Sequence, residues 1–342
     1  HHQPRRQRQM CIRDRVFTIC KKNLKPFTKK RVNKIDSVEK YQDIFENIVE
    51  GVVKNSITNF TVSGIKNVNP DKGYLFIANH RDITLDSALL NLTLHQNNLS
   101  TTYNAVGNNL LGEKWASDLM RLNKSFIIDR SDKSKRDIYR SLNLASEFIF
   151  NAINNNNHSI WIAQRQGRSK DGNDYTDPSV IKMIHLNARK KISLSEYLNK
   201  LNVVPVSISY EKDPNDILKA KELYLTNLNK IYIKERKEDM QSIAEGINGQ
   251  KGNVNLTIGN VMTFNSDSYE ECSYEITENI RKLFYLHPTN YAAAIMQGRD
   301  IDYPEEWSYE IKESTEYLKR RLSLIPDEMH PYLLNQYSNS IS

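Results

Sequence analysis

The stretch Tyr74–Leu90, YLFIANHRDITLDSALL, falls from an unbroken apolar run into Asn79, His80, Arg81 and Asp82, with a second carboxylate at Asp86. Histidine beside carboxylate is acid–base chemistry. A neutral imidazole takes a proton from a hydroxyl near pH 7 when its far nitrogen donates to a group that fixes its tautomer and orientation. Asp86 and Asp82 are both candidates for that group. Asp86 also opens a helical pattern, DSALLNLTLHQ, and reads as its N-cap, which is compatible with orienting His80. Three further apolar runs end in conspicuous polar residues. FIIDRS carries Asp129 and Arg130, WIAQRQGRSKDG carries Arg165, Gly167 and Arg168, and VVPVSISYE has Pro205 inside the run. A guanidinium donates in a fixed fork that suits phosphate or carboxylate, and surface ion pairing is the alternative use of these arginines.

The elements that must position these residues alternate along the chain. Residues 37–55 place Val38, Tyr41, Phe45, Ile48, Val49, Val52 and Val53 at helical spacing. A strand over 59–68 and a turn at 69–73 precede YLFIAN, whose continuous apolar run suits a strand buried on both faces. KSFIID, SIWIAQ, NVVPVSISY and NVNLTIG read as further strands. Helical patterns follow or separate them over 133–153, 176–189, 193–201, twice within 214–247, and over 270–286 and 304–323. Pro178 stands in a first turn, and Ser193 with Glu196 forms a capping box. Strands separated by helices predict an α/β fold with a mainly parallel or mixed central sheet, helices on both faces, and extra N- and C-terminal helices. Functional groups in such a sheet gather where strands end and loops begin.

Charge is unevenly placed. Twelve of the 48 Lys and Arg, but one of the 41 Asp and Glu, lie in residues 1–34; the remainder carries 36 basic against 40 acidic residues. A slightly acidic body argues against nucleic acid as a partner, which calls for a basic face on the fold. Residues 1–15, containing QPRRQRQMCIRDR, resemble translated sequencing-adapter read-through and are read as a non-native leader. The next segment, VFTICKKNLKPFTKKRVNK, is read either as an interfacial anchor for anionic lipid or as a solvated arm. No apolar run approaches the roughly 18 residues of a membrane span, so membrane contact is expected to be peripheral. Cys11, Cys20 and Cys272 form no C-x-x-C pair, which suits a reducing compartment and excludes a Cys-rich zinc cluster. Asp171 to Asp174 read as a turn rather than a calcium loop. His95, His158, His185, His287 and His330 sit in no recognisable cluster and read as structural.

The four strand-end stretches, in this order, resemble the four motifs of the phospholipid/glycerol acyltransferase family. NHRDITLD matches the first with His80 and Asp86, FIIDR the second with Arg130, QGRS from Gln166 to Ser169 the third, and VVPVS the fourth. The resemblance covers about residues 60–210. NHRDITLDSALL and QRQGRSKDGND look most like a bacterial branch of glycerol-phosphate and lysophosphatidate acyltransferases. It departs from the family twice. Five residues, not the usual four, separate His80 from Asp86, and Gln166 stands where the family usually has glutamate. The branch resembled has the longer spacing, which favours Asp86 over Asp82.

The resemblance implies transfer of a fatty acyl group from acyl-CoA or acyl-carrier protein to the hydroxyl of a glycerol-phosphate or lysophospholipid acceptor. His80 would be the general base, Asp86 would orient it, and Arg130, Gln166, Gly167 and Arg168 would bind the substrate. No metal or cofactor is expected beyond the acyl donor. The implied organisation is a leader (1–15), a basic arm with an amphipathic helix (16–57), an acyltransferase domain (58–265) and a C-terminal helical extension (266–342). The expected location is cytoplasmic, at the inner face of the cell membrane. The competing reading is a lipid-binding or scaffolding relative that has lost activity, motivated by Gln166. A protein-kinase catalytic loop, suggested by His-Arg-Asp, fails because Ser87 stands where that loop needs asparagine and no Gly-rich loop precedes it.

Overall fold

The computed structural model describes residues 38–107, 124–128, 134–229, 232 and 238–341. Seven strands form one sheet: β1 (Asn59–Ser63), β2 (Leu75–Ala78), β3 (Tyr103–Gly107), β4 (Ser125–Ile128), β5 (Ile160–Ala163), β6 (Val203–Tyr210) and β7 (Asn253–Ile258). Their spatial order is β1–β7–β6–β2–β5–β3–β4. All neighbouring pairs are parallel except β6 with β7, so the sheet is mixed and β1 and β7 run against the rest.

The helices are α1 (Val38–Ser56), α2 (Leu85–Gln96), α3 (Lys135–Asn156), α4 (Pro178–Ile184), α5 (Leu194–Lys200), α6 (Asp216–Asn229) and α7 (Glu238–Asn248), followed by α8 (Tyr269–Leu283), α9 (Pro288–Met296), α10 (Ser308–Leu322) and α11 (His330–Ser338). Alternation along β2 decides which helices cover which face. Leu75 and Ile77 join a core with Ile149 of α3, Ile181 of α4, Tyr197 of α5 and Ile276 of α8. Phe76 and Ala78 join the opposite core with Val49 of α1, Leu89 of α2, Val204 and Ile208. Each fully buried Val, Leu, Ile or Phe among them contributes about 1.5–3 kcal/mol relative to exposure. A third core, with Ala220, Ala293, Leu318 and Leu333, packs α6 against α9, α10 and α11.

The helix starts follow their capping residues. The side chains of Ser134, Ser193 and Ser268 accept from Asp137 N, Glu196 N and Glu271 N. Three features depart from the sequence reading. The strand over 59–68 ends at Ser63, because Gly64 turns to φ 79° and a short 3-10 turn follows. A Cβ at Gly64 would meet Ile258 O at 1.9 Å, so this close approach requires glycine. β3 and the nine-residue helices α9 and α11 were not read from the pattern. Pro205 is tolerated mid-sheet because its carbonyl accepts from Gly259 N, just past the end of β7. Its nitrogen faces that same side, so the ladder to β2 is spared.

Candidate active site

β2, β5 and β6 are parallel neighbours, with Ala78 beside both Ala163 and Val206. Their carboxyl ends therefore deliver Asn79–Asp82, Gln164–Ser169 and Ile208–Tyr210 to one edge of the sheet. Asn79 is fully buried and pins β2 to β6: its Oδ1 accepts from Ile208 N at 2.8 Å and its Nδ2 donates to Ile208 O at 3.0 Å. The loop after β5 is tied to the loop after β2 by Ser169 N donating to His80 O at 2.7 Å.

His80 Nδ1 lies 2.8 Å from Asp86 Oδ2. The same oxygen accepts from Arg81 N at 2.7 Å and Asp82 N at 3.0 Å, while Oδ1 accepts from Tyr210 Oη at 2.8 Å. With three donors aimed at it, the carboxylate is an acceptor, so Nδ1 carries the imidazole hydrogen. That leaves Nε2 with its lone pair, and it makes no hydrogen bond among the described residues. The ring is part-exposed and packs edge-on to Trp161. Asp86 stands in the first turn of α2, where the helix dipole favours negative charge.

Asp82 plays a different part. Thr84 is the N-cap of α2 and its side chain makes no cap bond; Asp82 Oδ1 instead accepts from Thr84 N at 2.9 Å and Leu85 N at 2.8 Å, so Asp82, and not Asp86, serves the N–H groups at the start of α2. This corrects the N-cap reading of Asp86, whose oxygens are taken up by His80, Tyr210 and the loop. Burial, and then the neighbouring Asp86, raise the Asp82 carboxyl above its ordinary value. Gly246 of α7 lies against it.

Arg168 is buried, and its Nη2 donates to Ser242 Oγ of α7 at 3.3 Å. Its Nη1 is buried with no partner among the described residues. Such a group is costly unless something completes it. Gln166 and Gly167 are exposed beside it, and Gly167 has φ 76° with open space around a notional Cβ. The glycine there serves the backbone turn rather than room. Arg165 faces elsewhere, stacking over Tyr175 at 4.4 Å and donating to Asn173 O at 3.1 Å. Arg130 and Asp129 lie outside the described residues.

Residues 59–209 match the family model named Acyltransferase. This domain belongs to the acyltransferase family. Among solved structures, the chain is similar to the 1-acyl-sn-glycerophosphate (LPA) acyltransferase PlsC from Thermotoga maritima. Identity is 16% over 82% of this chain and 95% of that one, with a TM-score of 0.44. No curated protein matches the chain significantly.

The candidate site rests on a buried polar network that the sequence reading did not assign. Arg81 Nη2 donates to Asp174 Oδ2 at 2.6 Å, and its guanidinium lies 5.0 Å from the Phe284 ring. Asp174 also accepts from Asn79 and Gln164. The DGND stretch is thus a turn, as read, with Asp171 Oδ1 accepting from Asn173 N, but one that plants its last carboxylate under the histidine loop. Lys219 of α6 is buried, ion-paired with Asp213, and donates to Arg81 O at 2.8 Å. Burial pulls the Lys219 ammonium below its ordinary value, whereas Lys219 holds the Asp213 carboxyl low against its own burial. Among the other histidines, His185 bonds Tyr269 and Ile192 O, and buried His287 bonds Ser209 Oγ. No cluster with metal-ligand composition is found among the described residues.

Proposed function

We propose that this acyltransferase moves a fatty acyl group from acyl-CoA or acyl-carrier protein to the hydroxyl of a glycerol-phosphate-type acceptor, most simply 1-acyl-glycerol-3-phosphate, in phospholipid biosynthesis. The observation that carries the reading is His80: Nδ1 is held by Asp86 at 2.8 Å, and Nε2 is left with a free lone pair. An alcohol is a poor nucleophile until a base takes its proton. Nε2 takes that proton as the oxygen attacks the thioester carbon, and Asp86 stabilises the imidazolium that forms. The tetrahedral centre then collapses, the C–S bond breaks, and the thiolate leaves with a proton returned from His80.

The unpaired Nη1 of Arg168 supports an anionic acceptor, since a buried guanidinium nitrogen calls for an acceptor such as a phosphate oxygen. Holding the phosphate there would fix the hydroxyl against His80 and convert a bimolecular attack into a positioned one. Arg130 is proposed to share that grip. A lipid acceptor and the basic charge of residues 16–34 support peripheral attachment at the cytoplasmic face of the membrane. No described helix is long and apolar enough to cross a membrane.

The test is incubation of the purified chain with labelled oleoyl-CoA and a panel of lysophosphatidate, glycerol 3-phosphate and lyso-lipids with other head groups. The reading expects product from a phosphate-monoester acceptor. No product from any acceptor, by a folded protein that still binds vesicles, would favour the non-catalytic lipid-binding relative.

A further inference from the structure

Tyr210 closes β6, two residues beyond Ile208, the residue that Asn79 bonds at both its N–H and its carbonyl. Strand alternation puts Tyr210 on the same face as Ile208, the face covered by α2. Its hydroxyl therefore arrives at the first turn of α2 and donates to Asp86 Oδ1 at 2.8 Å. The two carboxylate oxygens are loaded unequally. Oδ2 serves His80 and two backbone N–H groups, whereas Oδ1 receives no donor but Tyr210 among the described residues.

We propose that Tyr210 is a positioning residue of the acyl-transfer reaction, whose hydroxyl orients the Asp86 carboxylate and tempers its basicity, and thereby sets the pH range over which His80 is a free base. The proposal rests on His80 being the general base. A donor on Oδ1 draws charge away from Oδ2, the atom that faces the imidazole. Without it, the carboxylate holds an imidazolium more tightly, and His80 stays protonated to higher pH. Tyr210 is suited to the task because it remains a donor: burial, and then the Asp86 and Asp82 charges, push its phenol well above its ordinary value. The charged and titratable groups around the pair are His80 and Asp82 on the loop after β2, Asp213 after β6, Arg81, Lys219 and Tyr337, which line the same small cavity as Tyr210, and Arg168, which acts on Asp82 and Asp213.

The test is the pH profile of kcat/KM for the full chain with oleoyl-CoA and its best acceptor. Tyr210→Phe keeps the ring and removes the donor. Its acid limb is expected to move up by roughly half to one pH unit, with kcat reduced about three- to tenfold and the acceptor KM little changed. Placing 3-fluorotyrosine at position 210 strengthens the donor and is expected to move the limb the other way. It alone decides the matter if Tyr210→Phe does not fold. In the Asp86→Asn background, Tyr210→Phe is expected to leave the limb where it is. Acid limbs that coincide with wild type in both folded single variants would overturn the proposal. The His80→Ala variant separates the two claims: if it retains wild-type activity, the base assignment falls and takes this proposal with it. If it is inactive while the limbs stay put, this proposal alone fails.

Discussion

Asp86→Asn isolates charge from geometry at this site. An asparagine cannot present its Nδ2 to the position of Oδ2, because Arg81 N and Asp82 N already donate there at 2.7 and 3.0 Å. The amide must therefore keep its oxygen on that side and turn its nitrogen to Tyr210 Oη, which can accept. The His80 tautomer and ring orientation survive, and only the negative charge is lost. Imidazolium and carboxylate charge centres about 4 Å apart attract by roughly 4 kcal/mol at an effective dielectric near 20. That is an upper figure of about 10³ in rate, so kcat/KM is expected to fall roughly 10²–10³ with a near-wild-type circular dichroism spectrum and Tm. Asp82→Asn retains Oδ1 for its two bonds at the helix start and is expected to stay within a fewfold of wild type. The assay is continuous thiol release from oleoyl-CoA, with both variants compared at several pH values. If Asp82→Asn proves the more damaging while both proteins are folded, the carboxylate has been assigned wrongly.

Other outcomes follow from the same contacts. Asp82 has a folded-state pKa above the ordinary 3.8, so its ionised form costs stability at neutral pH, and that cost disappears as pH falls through the raised value. Asp82→Asn should thus raise Tm near pH 7 and lose the advantage in acid; a lower Tm at every pH would refute this. A Cβ on Gly246 would lie 2.3 Å from Asp82 Oδ2, whose carboxylate is held through the two bonds to Oδ1, so Gly246→Ala should cost about 1–3 kcal/mol in chemical denaturation despite alanine's helix preference. An unchanged midpoint would show that α7 yields freely. Gln166→Glu places a charge near the proposed phosphate position and should alter the acceptor KM more than kcat. A rise in kcat of about a hundredfold, roughly 2.7 kcal/mol, would instead show that the natural glutamine cripples the site.

The parts of this architecture that are local in sequence were the parts that could be read. Apolar runs such as YLFIAN and VVPVSISY announce buried parallel strands, and Ser193 with Glu196 announces a helix start, because neighbouring residues suffice to define each. β3 escaped because YNAVG places Asn104 second in a five-residue run, a polar residue that is buried and accepts from Asn91 and Thr102. The helices α9 and α11 are too short to show a period, and each opens on or next to a proline. His80 and Asp86 could be singled out because they lie six positions apart, one on the loop after β2 and the other in the first turn of α2. Tyr210 is 124 positions from Asp86, and Asp174 is 93 from Arg81, and no local pattern marks either. On residue type alone Asp82 and Asp86 are both candidates, and only the spacing of the branch resembled favours Asp86. The folded loop shows that one carboxylate serves the helix start while the other holds the imidazole.

Proton removal by His80 is tested by comparing wild type with His80→Ala, using mass-spectrometric detection of the diacyl product from oleoyl-CoA and lysophosphatidate under single-turnover conditions. His80 is part-exposed and contributes to neither main apolar core, so the variant should fold. Its rate is expected to be lower by about 10²–10⁴, with donor and acceptor binding retained. A folded His80→Ala protein that forms product within tenfold of the wild-type rate would contradict that role for His80.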